Sequence, residues 1–571
     1  MAHVETLCYS YLKIEYNLRC KMTKLAGIFS NGMVLQRDTA CAIWGKEESS
    51  GHVTVYVENK EYTSDVRDGS FLVELPAHEA ATGITMVIEG SEKITLTDVC
   101  YGDVYLLTGQ SNMELPVSRT RDVSGEEIDA SDYPFIRQYR VTPQYRLAED
   151  KMADLPELPW TKATPDQIGE MSATGFYAAR RIYDVKKVPI GLVLGAQGGS
   201  TVESWMPSEL LKEFGDYEKI FRPFTEDGAL QEYLNNRNTY IEQARKALES
   251  GEDAVLCKEI PEDAVDFSVP GMILSEKTYE MRKAALASDR AKSFAGKDEQ
   301  GRTIKELLGG EVILPEGFCG VVWFYKEFEL AEEPEGSAFA YVGNLIDADQ
   351  TFVNGVLIGR TEYRYPPRKY TFDSKILKKG KNLICVRLLI ENRYGGFVGA
   401  HPYYLTCGKE KIDLSGTWKM KKGVIWEDAM KDDFAMPYSM LGQEVPTGLF
   451  KATIRPLKNY RFCGIWWYQG EANSADPERY NEKFSSMIRY WRSYFGSDLP
   501  VIAVEMADYS DPALGALPDG WREIQIQQCM AEKEISGCRV VSAKDLTTPL
   551  DLHPQRKSEL GARIAEVILK G

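Results

Sequence analysis

The run GDVYLLTGQSNMEL, residues 102–115, decides how this chain is read. Val104 to Leu107 are continuously apolar, which is the pattern of a short strand buried on both faces. The run stops at Gly109. A small hydroxyl residue, Ser111, then stands between two amides, Gln110 and Asn112, in a tight turn. Working outward, SATGFYAARRIYDVKK (172–187) has helical spacing, and VPIGLVLGAQGGS (188–200) is a second buried strand that ends in glycines. Strand, helix and strand in this order predict an α/β fold with a parallel sheet. The same pattern returns at YRFCGIWWYQGEAN (460–473). It continues through a helix, RYNEKFSSMIRYWRSYF, two strands, LPVIAVEMADY and CRVVSAKDL, and a last helix, QRKSELGARIAEVIL.

The regions around these motifs read differently. Residues 1–21 are expected to be a non-native or disordered extension, with Met22 as the natural start. Residues 22–100 alternate apolar and polar positions between Gly, Asn and Asp turns, which predicts an N-terminal β-sandwich. The α/β domain is expected in two parts, 101–210 and 421–571. Between them lie a polar, helix-prone stretch, 211–304, and a second β-rich stretch, 305–420, whose aromatic alternating strands predict an inserted β-sandwich or jelly roll.

Bulk properties narrow the function classes. A chain of 571 residues exceeds one ordinary hydrophobic core. Its formal net charge of −17 argues against nucleic acid and anionic membranes as partners, because both need clustered Lys and Arg. The longest apolar runs are strand-length, well short of the ~20 residues of a membrane span. The N-terminus has no basic start followed by an apolar core, so no secretory signal is read and a cytoplasmic location is expected. The 11 cysteines show no framework spacing and are read as reduced, mostly buried thiols.

A serine hydroxyl becomes a nucleophile only with a base to take its proton and donors to hold the oxyanion. The chain has five histidines: His3, His52, His78, His401 and His553. Only His553 falls in the α/β domain, in a loop just before the terminal helix, where the sites of such sheets gather. Asp551 and Asp545 are the nearby carboxylates that could orient it. Trp205, Trp466, Trp467 and Tyr468 flank the motifs and suit either sugar stacking or core packing.

Taken in order, TGQSNME, GLVLGAQGGSTVESW, IWWYQGEANS and DLHPQRKSELGARIA resemble the motif blocks of the SGNH (GDSL-like) hydrolase superfamily. More narrowly, they resemble its sialate O-acetylesterase and acetylxylan esterase-like branch. The resemblance implies a three-layer α/β/α hydrolase domain and a serine carbohydrate O-acetylesterase working through an acyl-enzyme. It implies Ser111 as nucleophile and His553 as base. It assigns the oxyanion hole to the backbone of Ser111, Gly199 (or Gly198) and the side chain of Gln469 (or Asn473). Gln110, Asn112, Glu471 and Asn473 are read as supporting residues. The superfamily often carries Asp three residues before its histidine. Here that position is Leu550 and the acid is Asp551, so Asp551, Asp545, Glu471 or no acid at all are the options for the third member. No metal and no cofactor are expected. The expected partner is an acetylated mono- or oligosaccharide, either xylan-like or sialic acid. The β domains are read as glycan-binding, cleft-shaping or homo-oligomer-forming, with no choice among these. The alternative readings are an inactive glycan-binding protein and a different short-chain ester hydrolase.

Overall fold

The computed structural model describes residues 23–143, 154–215, 217, 257–269, 311–313, 320–346, 348–361, 367–390, 396–425, 442–496, 498–509, 520–546 and 552–570. The segment GDVYLLTG, residues 102–109, is the second half of one long strand, β1 (Lys93–Gly109). Its first half pairs antiparallel with Ala81–Glu89 in the N-terminal β region. From Asp103 onward its neighbours are parallel. The expected boundary at 100/101 therefore falls inside a continuous strand, which couples the two regions covalently and through hydrogen bonds.

In the N-terminal region, Cys41–Lys46 pairs antiparallel with Lys24–Leu25 and Ser70–Leu75. His52–Val57 pairs with Lys60–Asp65 and Ala81–Glu89. Ile43, Val53, Val55, Val73, Met86 and Ile88 alternate along these strands into a shared core, as period-2 patterning requires.

The α/β sheet continues with β2 (Tyr133–Arg140), β3 (Thr161–Ala163), β4 (Ile190–Leu194), β5 (Gly464–Tyr468), β6 (Val501–Glu505) and β7 (Cys538–Ser542). The spatial order is β3-β2-β4-β1-β5-β6-β7, parallel throughout except at the β3 edge. Its helices include α1 (Ser111–Glu114), α2 (Ala173–Lys186), α3 (Tyr480–Phe495), α4 (Trp521–Glu534) and α5 (Lys557–Lys570). On one face, Phe176 and Ala179 of α2 and Leu560 and Ile564 of α5 pack with Leu107, Leu192, Trp466 and Ile502. On the other, Phe484, Ile488 and Trp491 of α3 and Ile524 of α4 pack with Leu106, Val193, Ile465 and Trp467. This is a mixed α/β fold whose strands are buried on both faces, which explains their unbroken apolar runs.

Two elements escape the sequence reading for one reason, buried polar side chains. In β2, Arg137 is fully buried yet satisfied: it donates to the carbonyls of Gly32, Asp98 and Pro134 and to the Asp98 carboxylate. In α4, buried Gln525 and Gln528 bond the backbone of Met506, and Gln528 also donates to the Gln469 carbonyl. Both disguise an inward face as a polar one.

The inserted region is a pair of antiparallel sheets. One runs in the order 265–269, 416–425, 320–330, 380–390, 348–353, 356–361; the other is built around 396–407 and 337–346. Phe324, Val342, Leu388 and Trp418 share their core. Two expected limits change. Val265–Val269, inside the stretch read as helical, is a strand paired with Gly416–Ile425, and its VDFSV alternation is a strand pattern. Gly416–Ile425 itself runs past 420, so residues 421–425 belong to the β region. The remaining helical expectations within 211–304, and the extension 1–21, lie outside the described residues apart from 211–215, 217 and 257–264.

Candidate active site

β1 lies at the centre of the sheet, between β4 and β5, where the chain order reverses. Loops after such a pair of strands diverge and leave a crevice at the carboxyl ends. Leu107 of β1 is level with Leu194 of β4 and with Trp466 of β5. The three following loops therefore leave the sheet side by side: 110–115, 195–205 and 469–475.

Gly109 makes the first turn possible. Its φ is +114°, and a Cβ there would lie 2.2 Å from the Tyr468 carbonyl oxygen. Any larger residue would force β1 and β5 apart. Gln110 then stitches the turn to the third loop: its Oε1 accepts from the N–H groups of Gly470, at 3.2 Å, and Ala472, at 3.1 Å. Ser111 opens α1 and remains partly exposed.

The His553 loop reaches the same point from the far end of the chain. His553 Nε2 lies 2.8 Å from Ser111 Oγ. Asn112 binds this loop to the turn. Its Nδ2 donates to the Leu552 carbonyl at 3.0 Å and to Glu471 Oε1 at 2.6 Å. Its Oδ1 accepts from Lys557 Nζ at 2.6 Å. Asn112, Glu471, His553 and Lys557 are all buried. Burial pulls the His553 imidazole down to about 3, and the positive charges of Lys557 and Arg119 add to the effect. Burial pushes the Glu471 carboxyl up, opposed by its Asn112 hydrogen bond and by Lys557.

The sequence-predicted residues fall into distinct positions. Gly198 sits beside the serine: a Cβ on it would be 3.5 Å from Ser111 Cβ. The Gly198 N–H already donates to Glu114 Oε2 at 2.6 Å. Gly199 has φ +72°, and among the described residues neither its N–H nor that of Ser111 has an acceptor. Between the two glycines, only Gly199 leaves its amide available to a ligand.

Gln469 requires a correction. Its Nε2 donates to the Ser200 carbonyl at 3.0 Å and to Asn473 Oδ1 at 2.7 Å, and its Oε1 accepts from Tyr480 at 2.8 Å. Both amide hydrogens are used, so none is left for an oxyanion. Asn473 is similarly engaged, donating to Glu203 Oε2 at 2.9 Å and accepting from Val202 N–H at 2.9 Å. Glu203 in turn accepts from Lys483 Nζ at 2.7 Å in a buried ion pair. Gln469, Asn473, Glu203 and Lys483 thus form a brace between the second and third loops. The sequence reading missed Glu203, Lys483 and Lys557. A charge inside an apolar helix face was the available signal for Lys483, which sits among Tyr480, Phe484 and Met487.

Among the carboxylates proposed for the imidazole, Asp545 is engaged elsewhere. Both its oxygens take Arg563 at 2.7 Å, which holds the carboxyl down at about 2. Glu471 meets Asn112, not His553. Asp551 lies outside the described residues. His52 and His78 belong to the N-terminal sandwich, where His78 stacks on Tyr101 at 4.2 Å. His3 lies outside the described residues. The backbone of His401 is in the strand 396–407 of the inserted region. Trp205, Trp466, Trp467 and Tyr468 are all at most 1% exposed, so they pack the core and offer no sugar platform.

A hydroxyl within hydrogen-bond reach of a buried imidazole is suited to acyl transfer. The comparisons point the same way. A family model described as "Carbohydrate esterase, sialic acid-specific acetylesterase" matches residues 101–252 and 445–570. Sialate O-acetylesterases of Homo sapiens and Pongo abelii are each 32% identical over 212 residues, 34% of this chain and 40% of the relative. A carbohydrate acetylesterase from Xanthomonas citri shares the fold, with a TM-score of 0.50 and 17% identity over 95% of this chain and 74% of that one. The α/β part of the chain, residues 101–252 and 445–570, matches the sialate O-acetylesterase-like family of carbohydrate esterases, which are carboxylic ester hydrolases. The matched segment spans 40% of the length of the mammalian relatives.

Proposed function

We propose that this protein is a serine carbohydrate O-acetylesterase with an SGNH-type three-layer domain. The observation that carries the reading is the 2.8 Å contact between Ser111 Oγ and His553 Nε2 at the sheet's switch point. In this reading Ser111 Oγ attacks the acetyl carbonyl carbon while His553 accepts the hydroxyl proton. The N–H groups of Ser111 and Gly199 stabilise the oxyanion. The tetrahedral intermediate collapses, the sugar–oxygen bond to the acyl carbon breaks, and His553 protonates the leaving sugar hydroxyl. Water, deprotonated by His553, then attacks the acetyl-serine and releases acetate. Asp551 is assigned as the third member of the triad from its place in the sequence, two residues before His553.

The substrate class is an acetyl ester on a sugar hydroxyl. The net charge of −17 favours a neutral acetylated oligosaccharide over an acidic sugar. A cytoplasmic setting belongs to the same proposal. It is supported by the free thiols of the eight cysteines among the described residues, Cys41, Cys100, Cys257, Cys385, Cys407, Cys463, Cys529 and Cys538, most of them buried.

The test is acetate release from 4-nitrophenyl acetate, acetylated xylo-oligosaccharides and O-acetylated sialic acid, wild type beside Ser111→Ala. The expected result is release by wild type and loss of about 10³-fold or more in the variant. Equal rates for the two proteins, or no release by either, would overturn the reading. The preferred sugar then follows from the ratio of kcat/KM values.

A further inference from the structure

The nucleophile and its base are 442 residues apart in sequence, so something other than chain connectivity must hold them in register. The Asn112 side chain does this, and its orientation is decided by what it meets. An amide presents a donor and an acceptor of nearly equal shape, and only its partners tell the two ends apart. Lys557 Nζ has three donors and no acceptor, so its 2.6 Å contact must be to Oδ1. That leaves Nδ2 to face Glu471 Oε1 and the carbonyl of Leu552, the residue before His553.

We propose that Lys557 is a positioning residue for the esterase reaction: by fixing the orientation of Asn112 it holds the His553 loop against Ser111. The proposal rests on the esterase reading above. It also explains the location of the ammonium. Lys557 is 1% exposed, and a buried charge is unfavourable unless its surroundings compensate it. Its Nζ sits 4.9 Å from the centre of the Tyr468 ring, at the end of β5. From there the ammonium acts on the imidazole as well as on Asn112. The positive charges of Lys557 on α5 and Arg119 after the serine turn act on His553, and Lys557 also acts on Glu471 in the third loop. The two cations disfavour the imidazolium, so the imidazole stays available to accept the serine proton.

Three variants separate the parts of this role. Lys557→Met removes both the hydrogen bond to Asn112 and the charge. Lys557→Gln keeps a donor but removes the charge. Lys557→Arg keeps the charge on a larger group. The readout is the pH dependence of kcat/KM for 4-nitrophenyl acetate, whose acid limb does not depend on the fraction of protein folded. The expected result is an acid limb about one unit higher in Met and Gln, unchanged in Arg, with kcat lower in Met than in Gln by about tenfold. If Lys557→Met does not fold, the Gln and Arg variants carry the comparison.

Ser111→Ala, run alongside, separates the esterase activity from the role of Lys557. If it matches wild type, the esterase reading falls and the Lys557 proposal with it. If it is inactive while the acid limbs of Lys557→Met and Lys557→Gln coincide with wild type, only the Lys557 proposal falls. A purely structural lysine would give that second outcome, with activity falling only as folded protein is lost.

Discussion

Replacing Asn112 by aspartate changes one atom's chemistry and almost no volume, so it isolates the amide's donor function. The carboxylate keeps an acceptor for Lys557 but has no N–H for Glu471 or Leu552. The Glu471 hydrogen bond is charge-assisted and buried, worth ~1.5–3 kcal/mol; the Leu552 bond is neutral, ~1 kcal/mol. A new carboxylate beside Glu471 adds repulsion, and a direct ion pair with Lys557 offsets part of it. The net loss is about 2–4 kcal/mol, which for an α/β domain of this size lowers Tm by roughly 5–10 °C. The larger effect is on rate. The freed Leu552 carbonyl lets the His553 loop drift, and about 1 Å of misplacement costs on the order of 10² in turnover. Paired measurements of Tm by differential scanning fluorimetry and of kcat on 4-nitrophenyl acetate test both figures. A variant within about threefold of wild-type kcat and unchanged in Tm would refute the view that Asn112 joins the two loops.

Three further outcomes follow from the same geometry. The acid limb of kcat/KM in wild type is expected below the ordinary histidine value of ~6.5, because burial and two cations lower His553. The reaction needs the neutral imidazole, so activity should persist as the pH falls from 7 to 5. A limb at or above 6.5 shows instead that a carboxylate facing the imidazole outweighs the cations, and Asp551→Asn would then lower it. Asp545→Asn should leave kcat unchanged, since both oxygens of Asp545 hold Arg563. Its depressed carboxyl contributes stability above the unfolded value of ~3.9 that is lost as the pH falls toward 2. The pair is largely exposed, so the effect on Tm is small; a large loss of kcat would restore Asp545 as a triad member. Glu203→Gln removes the countercharge of the buried Lys483 ammonium, at a cost of up to about 3–5 kcal/mol. Thermal melts should show a strongly destabilised or insoluble protein, and a Tm within 2 °C of wild type would mean that the brace between the second and third loops is dispensable.

Much of this was legible in the sequence because the signals are local. Unbroken apolar runs mark β1, β4 and β5, since a strand covered on both faces has no polar side to show. Helical spacing marks α2, α3 and α5. The alternating strands of the two β regions are equally plain. The serine turn and the histidine before α5 are singled out by residue type alone, because few side chains can act as nucleophile or base. By contrast, β2 and α4 were hidden by inward Arg137, Gln525 and Gln528, whose polarity is satisfied only by partners distant in sequence.

The roles of the polar residues around the serine depend on tertiary structure for the same reason. The sequence presents Gln469 as a free amide beside a glycine, a natural oxyanion donor. Folding brings Ser200, Asn473 and Tyr480 to it and uses both of its amide hydrogens. Gly198 and Gly199 look equivalent in sequence until Glu114 takes the amide of one and leaves the other. Asp545 looks like a candidate for the imidazole until Arg563 occupies it. Lys557 reads as an ordinary charge at the start of a helix, and only the packing of α5 buries its ammonium against Asn112. Residue type determines what a group could do; which hydrogen bonds remain unspent after folding determines what it is left to do.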